Sequence, residues 1–172
     1  LHYYKMRILK FLLFTILFAQ SVEAQTKRAL IIAIGDYAQI GDYGHIDEHS
    51  GAWSKINSNN DIPLIKGALE RQNFSAENIA ILKNEQATKE GILAALDRLI
   101  SETKKGDIVV FHYSGHGQQI FDNNEDEIDG FDESIVPYDA ATLYIKGVYE
   151  GERHLRDDDI GAKFKELRQK LG

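Results

Sequence analysis

His116 is the histidine of this chain best placed to do chemistry. It lies in Tyr113-Ser114-Gly115-His116-Gly117, directly after the apolar run Ile108-Val109-Val110-Phe111. That run reads as the inner strand of a parallel sheet, apolar on both faces. In open α/β sheets chemistry gathers where strands end at their carboxyl edge. The two glycines let the backbone turn sharply and approach a ligand closely. An ordinary loop histidine is the plainer reading. Ser114 is a poor nucleophile for it, because residues two apart on a turn rarely place a hydroxyl on an imidazole with a third group to orient it.

Carboxylates form the second chemical feature. They crowd the run from Asp122 to Glu133 and recur as Asp157-Asp158-Asp159. A hard cation such as Ca2+ takes several oxygen ligands, which acidic loops supply. A solvated charged loop is the alternative. Asp122, Asn124, Asp126 and Glu133 occupy ligand positions of an EF-hand loop, but Glu127 stands where its turn needs glycine, and strands replace the flanking helices. The aspartate triplet also suits the dipole at a helix N-terminus. Cysteine is absent, which excludes disulfides and thiolate metal sites within these residues.

The elements that must position these groups alternate along the chain. Lys27 to Gly35 is a strand ending on a glycine, and Asp36 to Asn60 is a long loop in which Trp53 serves as a packing anchor. Asn60 or Asp61 can cap a helix with Pro63 in its first turn and Ile62, Ile65, Leu69 and Phe74 on its buried side. Asn78 to Leu82 is a short strand. Thr88 caps an amphipathic helix with Ile92, Leu93, Leu96, Leu99 and Ile100 inward, and Lys104-Lys105-Gly106 closes it. The strand before His116 follows. This β–α–β–α–β order predicts an α/β fold with a parallel sheet and helices on its faces. Gln118 to Phe121 and Ser134 to Asp139 read as extended, residues 143–149 as a hairpin arm, and Ile160 to Leu171 as a final helix.

Length and composition are those of one globular domain, 172 residues with 43% hydrophobic and 27% charged residues. A net charge of −7 argues against a general nucleic-acid binder. Residues 1–24 combine Lys5, Arg7 and Lys10, the apolar run Phe11 to Ala19 and the small-residue end Val22-Glu23-Ala24. That order predicts a secretory signal peptide, with 1–5 as an upstream extension, export of 25–172, and no stable membrane span.

The motifs together resemble the caspase-like cysteine peptidases, specifically the metacaspase and bacterial orthocaspase branch. The likeness runs from Arg28 to Leu171. It is carried by the first strand, Tyr113 to Gly117, Asp129-Gly130-Phe131-Asp132-Glu133-Ser134-Ile135-Val136-Pro137, and Leu155-Arg156-Asp157-Asp158-Asp159. It implies a three-layer caspase-like fold, a mostly parallel sheet with helices on both faces, here lacking its C-terminal part. It implies a cysteine endopeptidase in which His116 manages protons for a Cys nucleophile and the Gly117 N–H supports the oxyanion.

The resemblance further implies peptide substrates cut after Arg or Lys. Asp61 is then the pocket carboxylate and Ser114 lines the same pocket; Ser58 stands where the family often has Cys. Helix capping is the competing role for Asp61. Ca2+ is the implied cofactor, held by Asp132, Asp157 and Asp158 with a further ligand beyond this chain. The family's nucleophile follows a later core strand, which the sequence does not reach. The expectation is a monomeric, exported peptidase truncated before its Cys and inactive as it stands. The rival is a caspase-like calcium-binding or interaction module without catalysis.

Overall fold

Lys27–Ala33 forms β1, the strand around which the rest packs. The computed structural model describes residues 25–38, 53–124 and 126–172. The expected signal peptide lies outside the described residues, as does part of the long loop. β1 pairs in parallel with β2 (Ile79–Lys83) on one side and β3 (Ile108–Ser114) on the other, giving the order β2-β1-β3. The centre of the sheet is therefore β1. β3, read from its apolar run as an inner strand, forms an edge among the described residues, and its side chains are only partly buried.

Two helical layers cover this sheet. Ala29 and Ile31 point to α1 (Asp61–Arg71) and pack with Leu69, Phe74 and Ile79. Leu30, Ile32 and Ile34 point the other way, against Ile92, Leu96 and Leu99 of α2 (Lys89–Glu102). α3 (Asp157–Leu171) joins that second layer, where Phe164 meets Phe111 edge-on at 5.3 Å. Alternate β1 residues thus serve opposite cores. Each fully buried Leu or Ile there contributes roughly 1.5–3 kcal/mol.

Helix starts follow local rules in part. The Thr88 hydroxyl accepts the Gly91 amide at 3.0 Å and caps α2. α2 ends at Glu102 with no basic residue in its last turn, so Lys104 and Lys105 lie beyond it rather than on its dipole. Asn60 occupies the N-cap position of α1 without a side-chain cap bond. The aspartate triplet falls inside α3, as its first turn.

Past β3 the chain forms a second, antiparallel sheet of order β4-β5-β6. Its strands are Gly117–Phe121, Phe131–Ile135 and Leu155–Arg156. β5 starts at Phe131, before the expected Ser134, so the acidic run is the tip of the β4–β5 hairpin. In the 143–149 arm a single bridge joins Ile145 and Tyr149. Among the described residues no helix is long and apolar enough to cross a membrane.

Candidate active site

The turn from β3 into β4 holds His116, and its peptide groups are bonded on both sides. Its amide donates to the Tyr37 hydroxyl at 2.7 Å, while its carbonyl accepts from the Tyr113 hydroxyl at 2.7 Å and from the Val136 amide at 3.0 Å. The two phenols explain Gly115: a Cβ there would collide with the Tyr113 hydroxyl and come within 2.9 Å of Tyr37's. Burial, against weaker relief from the His116 amide, raises the pKa of Tyr37. Burial and then the neighbouring Tyr37 push Tyr113 far above the usual phenol range. Both phenols therefore stay protonated through the neutral range.

The imidazole is held as firmly as its backbone. It stacks on Trp53 at 5.0 Å between centroids and leans on Tyr37 at 5.2 Å. Its Nε2 lies 2.9 Å from the Ser54 carbonyl oxygen. A carbonyl only accepts, so Nε2 carries the proton, and in the neutral ring Nδ1 keeps the lone pair. Trp53 is anchored in turn, its indole N–H donating to the Ala140 carbonyl at 2.8 Å.

Ser114 and Asp61 meet beside this turn. The Ser114 hydroxyl donates to the Asp61 carboxylate. Asp61 thus faces β3 with its carboxylate engaged there, and the hydroxyl of Ser114 is directed at Asp61 rather than at His116. The β4–β5 register pairs Gly117 with Ile135, and the bond from the Val136 amide to the His116 carbonyl makes this a non-hydrogen-bonded pair. The Gly117 N–H consequently points away from β5.

At the far end of the hairpin the carboxylates converge. Oxygens of Asp122, Asp126 and Asp132 lie within 4.8 Å of one another. Asp132 is buried and bonded to Arg156 Nε at 2.5 Å. Asp158, in the first turn of α3, accepts from the Asn124 side chain at 2.7 Å. Loss of hydration, with the charges of Asp158 and Asp122 added, raises the pKa of Asp126; Glu127 is raised likewise, with Asp126 and Asp157 the leading charges. The structure therefore groups Asp132 with Asp122 and Asp126, which were ligand positions of the EF-hand alternative but not of the set the resemblance implies, and links Asp158 to that loop through Asn124. Glu133 lies on β5, where it accepts from Gln119 at 3.0 Å. The loop is thus bounded by strands, as expected, and not by EF-hand helices.

The family model described as metacaspase, peptidase C14 domain, matches residues 27–171. The chain belongs to the metacaspase family. It is 41% identical to metacaspase-2 of Arabidopsis thaliana over 110 residues, which are 60% of this chain and 24% of that protein. It is 27% identical to metacaspase-1 of Mycosarcoma maydis over 143 residues, 79% of this chain and 30% of that protein. The chain spans about a fifth to a third of the length of the curated relatives it matches. A crystal structure of a Geobacter sulfurreducens protein superposes with a TM-score of 0.60 at 25% identity, covering 82% of this chain and 45% of that one.

Tyr37, Ser54 and Tyr113 support His116 without having been expected to from the sequence. Tyr113 was visible within the motif, and its hydroxyl is one reason position 115 must lack a side chain. Tyr37 and Ser54 sit in a loop without periodicity, and nothing local marks them. His154 was missed as well. It is buried between the Tyr149 hydroxyl at 2.9 Å and the Gln118 side-chain oxygen at 2.8 Å. Burial, then the charges of Arg156 and Lys89, lower its pKa to about 4.

Proposed function

We propose that this chain is the histidine-bearing part of a calcium-dependent cysteine endopeptidase that cuts after Arg or Lys. The observation that carries the reading is the Ser54 carbonyl on Nε2 of His116. With that proton fixed, Nδ1 is the atom that takes a thiol proton and later returns it to the leaving amine. The thiolate attacks the substrate carbonyl carbon, the amine departs, and water cleaves the thioester. Its cysteine comes from chain outside these 172 residues, which contain none. The outward Gly117 N–H is suited to the developing oxyanion.

Asp61 binds the basic side chain before the cut, with the Ser114 hydroxyl beside it. A guanidinium taken from water needs a paired carboxylate. Calcium fits the acidic end, where the donors are oxygens only and three carboxylates already converge. Asp132, Asp157 and Asp158 would hold it, with Asp122 and Asp126 adjacent. Bound there, it would neutralise the carboxylates and brace the hairpin that follows His116. The N-terminal segment directs export, and the peptidase acts on protein substrates as a monomer.

The test is the complete protein assayed on peptides with Arg, Lys or Asp before the cut. Cleavage should follow Arg and Lys and fall about 100-fold in kcat/KM for Asp61→Asn, roughly the loss of one charged pair. Equal cleavage after Asp defeats the specificity. Activity that survives chelation, with no calcium heat in calorimetry, defeats the metal. The second reading, an inactive calcium-binding or interaction module, is favoured by the missing cysteine. A complete protein that binds calcium and cleaves nothing would establish it.

A further inference from the structure

β4 is hydrogen-bonded to β5 on one side, and among the described residues its other edge is unpaired. The register decides what that edge offers. Gly117 and Gln119 face Ile135 and Glu133 as non-hydrogen-bonded pairs, so their main-chain groups point away from β5. Gln119 and Phe121 also share an outward face, since alternate residues of a strand do. Phe121 is 49% exposed, stacks on Phe131 across the hairpin at 5.1 Å and meets Tyr144 edge-on at 4.6 Å. Phe131 and Tyr144 are themselves 36% and 41% exposed. The patch borders a small cavity that Leu143 helps to line. Aromatic groups left half in water at the end of an open strand edge have the character of a contact surface.

Two features identify the occupant. The first is continuity, because the edge begins at Gly117, next to His116, and runs on from the Ser114–Asp61 pair. A substrate whose basic residue before the cut meets Asp61, as proposed above, and whose strand runs parallel to β4 would send its leaving-group side along β4. The second is charge: Glu133 faces Gln119, and Glu127 and Asp129 are exposed at the hairpin tip. A segment with an apolar side chain next to a basic one matches an aromatic patch beside carboxylates.

We propose that the free β4 edge and the Phe121–Phe131–Tyr144 patch bind the leaving-group side of an extended peptide substrate. The peptide adds as a strand, by main-chain bonds to Gly117 and Gln119. At about 3.3 Å per residue, the patch lies roughly four residues past the cut. There it takes an apolar side chain, with a Lys or Arg beside it against the hairpin carboxylates. The placement rests on the dyad reading, which sets where the cut falls.

The test reads binding and not cleavage. The 15N-labelled chain is titrated with two peptides carrying Arg before a reduced, uncleavable bond. One has Leu-Lys at the fourth and fifth positions past that bond, the other Asp-Glu. The Leu-Lys peptide should shift the Gln119 and Phe121 amides and bind about tenfold tighter, as burial of one Leu allows. Phe121→Ser and Tyr144→Ser, both at exposed side chains, should each reduce that preference to about threefold or less. Equal affinity for the two peptides, or shifts away from β4, overturns the inference. Failure of the dyad reading is seen separately, when the complete protein leaves a short Arg peptide ending two residues past the cut intact.

Discussion

At the start of β4 the amide, carbonyl and ring nitrogen of His116 are all bonded within the protein, to Tyr37, Tyr113 and Ser54. At the far end, Asp126 and Glu127 face mainly other carboxylates, and Asp132 alone has a buried guanidinium, that of Arg156. The same hairpin thus joins a region completed by its own side chains to one with negative charge in excess. A group that must pass protons in one geometry gains from being held before substrate arrives. Carboxylates crowded together, as Asp126 and Glu127 are, hold their protons more tightly instead.

The sharpest way to break this contrast is His116→Ala in the complete protein. If the histidine manages protons, kcat should fall about 10³-fold or more while the fold survives. Retained cleavage would reduce the clamp to mere packing. Next in size is Asp132→Ala, which leaves Arg156 buried and unpaired and should cost about 3–5 kcal/mol in urea unfolding. A loss under about 1 kcal/mol would show that water reaches Arg156 and that the acidic end is looser than described.

A pH titration of stability separates the regions further. His154 titrates near 4 in the fold against an ordinary value of 6.5, so between those values the unfolded chain binds more protons. Stability should therefore be full above pH 6.5 and fall as pH drops towards 4, by on the order of 3 kcal/mol. His154→Gln should flatten that slope. An unchanged slope would move its origin to the carboxylates. The smallest effect is expected from Tyr37→Phe, which removes the acceptor of the His116 amide and should cost about 1–2 kcal/mol. Faster hydrogen exchange at the His116 amide is the direct readout, and unchanged exchange would dissolve the clamp.

The elements themselves were legible where spacing is local. β1, the Thr88 cap and the inward faces of α1 and α2 match their patterns because burial repeats with the strand or helix period. Boundaries gave way where tertiary pairing intervened: β5 begins at Phe131 because that residue pairs with Phe121. Asp61 shows the limit most clearly. Local sequence offered a helix cap and the family resemblance a pocket carboxylate, and the bond from Ser114, 53 residues on, takes up that carboxylate at β3.

By itself the sequence determined the α/β alternation, the Gly115-His116-Gly117 turn, the acidic hairpin tip and membership of the metacaspase family. All four are written in short-range order and residue type. Only the tertiary structure decided what surrounds His116. Ser54 and Tyr37 stand 62 and 79 residues away from it in the chain, and both meet it at the turn after β3. The choice of hydrogen-bond partner depends on distance across the fold, which no local period encodes.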